Sequence, residues 1–451
     1  MSRDLIFITL AAAFGGVIIG IDTSLIHESY PYFKDYFELS NSGEVLTYAL
    51  TMAGCILGSW FSGNFAENIG RRDTLKIAAI VFILSSLGSA FSTHYTAFLI
   101  FRVVAGIGIG AVATITPMYL AEVSPTHLRG KILLFFPMAI PVGMLLGWIL
   151  NVLLLDSDAN TWRWMFIFML VPVGLFLFLL FPTVRSPRWT MRRGYDRETS
   201  FVLRLLNPSA DIDLMMAEIK DSFPLKSHKS RSRDHISVDM VWNVMVPLVS
   251  LALFLPLTGI SFVESIIHPY SGTGTDGLLS ASARNIITLL VQISALFVAM
   301  NLIENKGRLA LLRFGFMSSG ILLILMAVVH FLSLGNTLVT FVLAQIFFFC
   351  LYMATNSVIW AYIPEALPNQ FRAKGIAVIV SIYYAAHLGI YLLSPILSNA
   401  IGPGLLFLVY AMTSFTGFYY LRGKLIIETK QKSIEDLDKE IRLKYDQKIQ
   451  G

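Results

Sequence analysis

The sequence predicts an all-α membrane protein: twelve transmembrane helices in two six-helix, pseudo-symmetric bundles. Three observations predict it. Of 451 residues, 55% are hydrophobic and 14% charged, with a mean hydropathy of +0.68, too little charge for a soluble surface of this size. Apolar stretches of about 20 residues, enough to cross a bilayer as a helix, recur along the whole chain. Three short motifs occur twice, in the same order.

The spans are predicted at 5–26, 45–66, 75–92, 97–119, 131–154, 163–182, 241–267, 281–303, 309–331, 337–362, 374–399 and 403–421. Arg3 and the apolar run through Ala13 look like a signal peptide, but the run continues to Ile26 and reads as a retained first helix. The second span ends at Glu67-Asn68-Ile69-Gly70-Arg71-Arg72. The fourth carries Arg102 within its apolar run and glycine at 106, 108 and 110, and it leads into the charged turn Glu122…Arg129. The pairs Gly16/Gly20, Gly54/Gly58, Gly106/Gly110 and Gly143/Gly147 have the small-xxx-small spacing that lets helices approach closely.

Between the sixth and seventh spans lies a polar segment with helix-like pieces at Asp196 to Leu206 and Ser209 to Phe223, broken by Pro208 and Pro224. The tail from Ser433 to Gln447 reads as one amphipathic helix resting on the cytoplasmic face. Ile434, Leu437 and Ile441 lie on one side, and Ser433…Asp436 forms its cap. The predicted division is therefore 1–182, the N-terminal bundle; 183–240, a cytoplasmic helical linker; 241–421, the C-terminal bundle; and 422–451, a cytoplasmic tail.

The halves are repeats. Glu67…Gly70-Arg71 matches Glu304…Gly307-Arg308, Glu122…Arg129 matches Glu365…Arg372, and Gly20-Ile21-Asp22 matches Gly259-Ile260-Ser261. The offset is close to 240 residues each time, which marks a parallel duplication. In parallel-repeat transporters the solute site lies between the halves near the midplane. Arg71, Arg72, Lys76, Arg129, Lys131, Lys306, Arg308, Arg313, Arg372 and Lys374 all fall in even-to-odd connections. By the positive-inside rule both termini are cytoplasmic.

Other classes are excluded. The net charge of +5 comes from short loops, so no nucleic-acid partner is expected. Cys55 and Cys350 lie inside apolar spans, which speaks against a disulfide framework. Gly106-Ile-Gly-Ile-Gly110 sits in a membrane span with no preceding strand, so it is not a nucleotide loop. No Walker motif, metal-ligand cluster or nucleophile–base pair is visible. The chain therefore reads as no enzyme, with neither cofactor nor metal, and driven by a gradient.

Arg102 through Gly130, with Pro117, Tyr119, Glu122, Pro125 and Arg129 in place, resembles the fourth-span signature of the sugar porter family of the major facilitator superfamily. Gly63…Gly70-Arg71-Arg72 resembles the superfamily's loop 2–3 motif, with Glu67 at its usual Asp. Trp162-Arg163-Trp164 and Ser186-Pro187-Arg188-Trp189 flank span 6 as that family expects. The resemblance covers essentially the whole chain. It implies two bundles that rock about a central cavity, with short cytoplasmic helices between them.

The chain also departs from the pattern. The family's acid before Ser-Pro-Arg is Arg185, its span 5 glutamine is Pro137, and its second Arg in loop 8–9 is Leu309. Its span 7 Gln-Gln pair is Leu255-Pro256, and the following asparagine is Ser261. The scaffold and gating motifs are kept, while much of the hexose-binding set is not.

Asp22 lies about four residues, ~6 Å, inside the outer end of span 1, and Arg102 about five residues, ~7.5 Å, inside that of span 4. These depths match, so the two charges can neutralise one another. Beside the arginine the carboxylate favours its charged form; without it, in an apolar cavity, the neutral one. If rocking changes the separation, protonation and conformation are coupled. The family implies the same, since an acid here marks its proton-coupled members. The competing reading is a static pair that only orders spans 1 and 4. Glu264, near the outer end of span 7, either binds solute or a proton or extends to the outer mouth. His387 has no family equivalent and reads as a core histidine.

A sugar or polyol needs polar groups for hydroxyls and apolar faces for C–H surfaces. By resemblance, Gln292, Trp360, Tyr383 and Tyr384 occupy binding positions. Asn356 precedes Trp360 by one turn, and Thr258 and Ser261 offer hydroxyls in span 7. Each of these residues alone equally suits an interhelical contact. Glu67, Arg71, Arg72, Glu122, Arg129, Glu304, Arg308, Glu365 and Arg372 are expected to form ion pairs that close a cytoplasmic gate.

The expected function is a secondary transporter of a sugar or polyol working by alternating access as a proton symporter. Rival expectations are a proton-independent facilitator of a sugar or another small organic solute, and a non-transporting sensor on the same fold. The short tail disfavours the sensor. The expected partners are the solute, a proton and the lipid bilayer. The expected state is a monomer, and the short termini and outer loop point to a prokaryotic-type plasma membrane.

Overall fold

The computed structural model describes residues 3–40, 42–154, 160–208, 210–223, 238–267, 281–332, 337–423 and 426–450. Among them are eleven helices long and apolar enough to cross a membrane: Arg3–Tyr36, Gly43–Ile69, Arg71–Ala90, Tyr95–Val123, Thr126–Leu154, Thr161–Leu180, Val241–Ile267, Ala283–Lys306, Arg308–Phe331, Leu338–Ala366 and Arg372–Ile401. Pro403–Tyr420 is the twelfth, 18 residues long, its apolarity diluted by Thr, Ser and Tyr. We number these spans 1 to 12. Span 12 packs along span 9, where Gly417 lies against the ring of Phe316 and Gly320 against that of Phe415. The fold is all-α, with two six-helix bundles, as expected.

The small-residue pairs meet one another. A Cβ on Gly106 of span 4 would lie 2.8 Å from the Cα of Gly54 in span 2, so these backbones touch and no larger residue fits. Spans 1 and 5 meet in the same way through Gly20 and Gly143. The bundles join along span 2 with span 11 and along span 5 with span 8. At the first seam Gly63 faces Ala373 and Ala377, and the Ser381 hydroxyl donates to the Ile56 carbonyl at 3.2 Å.

Three elements differ from expectation. Span 1 runs ten residues past the predicted Ile26 to Tyr36. The polar run after Ile26 hid this extension, which is held by tertiary packing: Phe33 is fully buried with Phe98, Trp162 and Phe166. Asp22 is thus mid-helix rather than near an end. The second linker helix is Ile212–Asp221, capped by Asp211, whose carboxylate accepts from the amides of Asp213 and Leu214. Ser209, Pro224 and the rest of the linker over 224–237 lie outside the described residues. The tail helix, Ile434–Gln450, carries the expected cap: Ser433 Oγ accepts from the Asp436 amide at 2.9 Å, and Asp436 accepts from the Ser433 amide at 3.3 Å. Far from merely resting on the surface, it buries Ile434, Glu435, Leu437 and Asp438.

Two spans are broken where the sequence is unusual. In span 7, Pro256–Thr258 forms a 3₁₀ turn that ends at Gly259 with φ +75°, against the ring of Tyr410. A short helix, Ile260–Ile267, resumes after it. In span 10 a π-helical turn covers Leu351–Asn356, a distortion that often accompanies functional sites.

Candidate functional site

The loops between even and odd spans and the tail share one face, here called the basic face. Midway through the N-terminal bundle, Arg102 is fully buried and Asp22 is 2% exposed. Arg102 Nη1 donates to Asp22 Oδ1 at 3.1 Å, and its Nη2 donates to the hydroxyls of Ser89 at 2.7 Å and Ser85 at 3.3 Å. The guanidinium also lies over Phe166 at 4.6 Å and Phe98 at 5.4 Å. Among the described residues, Asp22 Oδ2 is buried without a hydrogen bond. The arginine is thus anchored by two hydroxyls and two rings independently of the acid, and the acid keeps one open oxygen.

The predicted solute residues divide. Trp360 meets the ring of Tyr383 edge-on at 4.9 Å, and Tyr383 meets Tyr384 at 5.2 Å and His387 at 5.8 Å. Gln292 is 3% exposed, with its Oε1 unbonded. Ser261 and Asn356 are partly exposed. Thr258 is fully buried and gives its hydroxyl proton to the Leu255 carbonyl at 2.7 Å, so it faces no open space in this arrangement. Its hydroxyl closes the turn that Leu255-Pro256 creates.

At the basic face nearly every expected charge is engaged, though not always with the expected partner. Arg71 meets Glu122 at 2.9 Å, and Arg372 reaches the same carboxylate across the bundles at 3.9 Å. Arg308 grips Glu365 through two hydrogen bonds, at 2.8 and 3.1 Å, and Glu304 at 3.0 Å. Glu304 also accepts from the Gly130 amide of the other bundle at 2.7 Å. Glu67 pairs with Arg192 and Lys374, each at 3.6 Å. Arg72 pairs with its neighbour Asp73 at 3.0 Å and donates to the Thr183 carbonyl. Arg129 departs from the expectation of an ion pair, because its donors reach the Lys432 carbonyl at 3.1 Å and Thr126 Oγ1 at 3.5 Å.

The tail supplies partners that the sequence reading missed. Glu428 accepts from the amides of Arg308 and Leu309 at 3.0 and 2.9 Å, capping span 9 where the helix dipole favours an anion. Thr429 donates to Glu365 at 2.6 Å, and Tyr362 donates to the Ile427 carbonyl at 2.8 Å. Glu435 receives two hydrogen bonds from Arg188, at 2.9 and 3.0 Å. Burial would raise the Glu435 carboxyl, but the charge of Arg188 and its hydrogen bonds draw it down to about 2. The signal was the Glu428-Thr429-Lys430 string after a span and two acids in an otherwise amphipathic helix. Tyr48 was also missed: its hydroxyl lies 3.2 Å from His387 Nε2 across the bundles.

The comparisons agree with this architecture. Residues 8–441 match the family model described as "Sugar (and other) transporter". The D-xylose-proton symporter of Escherichia coli (strain K12) is 28% identical over 479 residues, covering 96% of this chain and 94% of the relative. The structure of the proton:xylose symporter XylE bound to 6-bromo-6-deoxy-D-glucose superposes with a TM-score of 0.89 at 26% identity, over 97% of this chain and 99% of that one. Its inward-open conformation from E. coli scores 0.71, over 96% and 99%. This chain is therefore arranged like the sugar-bound form, which accords with the basic face being closed by cross-bundle contacts. The chain belongs to the sugar porter family of the major facilitator superfamily.

Proposed function

We propose that this chain moves a sugar or polyol by alternating access in symport with a proton, through a plasma membrane, as a monomer with both termini cytoplasmic. Bundles 1–182 and 241–421 rock against each other, while the linker at 183–240 and the tail at 422–451 lie on the cytoplasmic side. The carrying observation is the one-sided contact of Asp22 with Arg102. Asp22 Oδ2 is an open, buried acceptor, and a proton there neutralises the carboxylate. Ser85, Ser89 and two rings hold Arg102 meanwhile, so the acid can load and unload without displacing it. Trp360 and Tyr383 supply the stacking faces, and Gln292, Asn356, Ser261 and Tyr384 the polar groups. The cytoplasmic gate is the set of contacts around Glu122, Glu304 and Arg372, assisted by Glu67, Arg71, Arg72, Arg129, Arg308 and Glu365.

The test is uptake of labelled sugars and polyols into proteoliposomes, with and without an inward proton gradient. Symport requires accumulation above equilibrium only with the gradient. Asp22→Asn then abolishes accumulation but keeps exchange of solute at equal concentrations. Gradient-independent equilibration would make the pair structural and the protein a facilitator.

A further inference from the structure

Glu264 is the feature that the reading above leaves unused. It sits on Ile260–Ile267, the short helix that resumes after the break in span 7, and it is partly exposed. Among the described residues it has neither a hydrogen bond nor an ion pair within 4.0 Å. An ionisable group at membrane depth is costly unless it has a partner or a task.

Its surroundings specify what is missing. The short helix packs against spans 10 and 11, and the groups within electrostatic reach of Glu264 are Tyr352, on the π-helical turn of span 10; Tyr383, on span 11; and His27, on span 1. Tyr383 in turn carries the ring of Trp360 at 4.9 Å. His27 is itself 3.8 Å from Glu44, and Arg102 is committed to Asp22, Ser85 and Ser89. The region therefore combines a carboxylate without a hydrogen-bond partner among the described residues with aromatic rings on the spans its helix packs against. A primary ammonium supplies three donors and a positive charge, and ring faces attract such a cation.

We propose that Glu264 binds a protonated amino group, so that the preferred solute is an amine-bearing sugar or polyol. The inference rests on the sugar-or-polyol reading and narrows its substrate class. When the bundles close around a neutral solute, the Glu264 carboxylate loses water and gains nothing in return. Closing around an ammonium replaces that water with a charge-assisted hydrogen bond.

The experiment uses the full chain in proteoliposomes, with a hexosamine, its N-acetyl derivative and the parent hexose as labelled probes, at a pH where the amine is protonated. Expected for the wild type is a kcat/KM at least about tenfold higher for the hexosamine than for the hexose, with no such preference for the N-acetyl form. Glu264→Gln brings the hexosamine-to-hexose ratio close to one, and Glu264→Asp keeps most of it. A wild-type ratio of one or less overturns the proposal, as does a Glu264→Gln ratio equal to the wild type's. Equal losses for both solutes under a proton gradient would make Glu264 a proton carrier and also overturn it. Should Glu264→Gln fail to fold, the wild-type ratio and Glu264→Asp decide. Transport of the hexose alone sinks the amine site but leaves the sugar reading standing; transport of neither solute sinks both.

Discussion

The duplicated charged turn is used differently in its two copies. Both begin alike: Arg71 and Arg308 open their helices after Gly70 and Gly307, at φ +94° and +90°. In the second copy Arg308 holds Glu365 through both of its oxygens and Glu304 as well, and Thr429 adds a further hydrogen bond to Glu365. In the first copy Arg71 gives Glu122 a single contact, and Glu122 divides itself between Arg71 and Arg372 of the other bundle. In the second copy the ion pairs lie within one bundle and the Gly130 amide crosses to Glu304, whereas in the first the carboxylate itself is shared between arginines of both bundles. The tail docks on both copies but in different ways: it adds Thr429 to the Glu365 carboxylate of the second, and in the first it meets Arg129 through a backbone carbonyl, leaving Glu122 to the two arginines.

The largest expected effect lies in the second copy. Arg308→Ala leaves two buried carboxylates without their cation, a change that costs about 3–5 kcal/mol. Thermal unfolding in detergent should fall steeply, and by more than for Arg71→Ala, because Glu122 retains Arg372. Equal losses for the two variants would abolish the distinction between the copies.

Next is the carboxylate shared between bundles. Arg372→Ala removes the cross-bundle contact and should favour the state open at the basic face. A cysteine placed at Ser381, buried at the seam of spans 2 and 11, should then label severalfold faster with a polar thiol reagent. Arg129→Ala should act in the same direction, because it releases the tail at Lys432. Unchanged labelling in both variants would leave the closure to apolar packing alone.

A smaller effect is set by pH. The folded Glu435 carboxyl titrates at about 2, below its ordinary 4.5, so its contribution to docking is complete above about 4.5 and is lost as pH falls toward 2. The wild-type tail should resist proteolysis at pH 6, and Glu435→Ala should be cleaved there. The smallest effect belongs to Lys374→Ala. Its pair with Glu67 is exposed on the lysine side, so stability should change by less than about 0.5 kcal/mol.

What could be read from the residues is chemistry that carries its own constraint. A buried arginine needs an acid, and Asp22 supplied it, although the depth that matched them was counted from a span end ten residues short of the real one. Glycines at four-residue spacing need a close neighbour, and Gly54 found Gly106. Ser433 and Asp436 define a cap locally. Partners chosen by tertiary approach were not legible. Nothing near Arg129 announces a backbone carbonyl some 300 residues later, and nothing near Glu365 announces Thr429. Span 1 continues past its polar run because Phe33 finds Trp162, a contact that local hydropathy does not encode. Thr258 looked like a donor for solute until the Pro256 turn claimed its proton.

The placement of the tail has a consequence for biosynthesis. A chain emerges from the ribosome N-terminus first, and domains begin to fold as they emerge. Arg129 and Arg188 are made 303 and 247 residues before their partners at Lys432 and Glu435. Until the tail has been made, these arginines lack those partners, and the basic side of the nascent protein has no finished seal. A chain terminated at span 12 contains every helix of the bilayer portion but keeps this unfinished surface. Docking of the tail therefore completes this surface only after both bundles have been made.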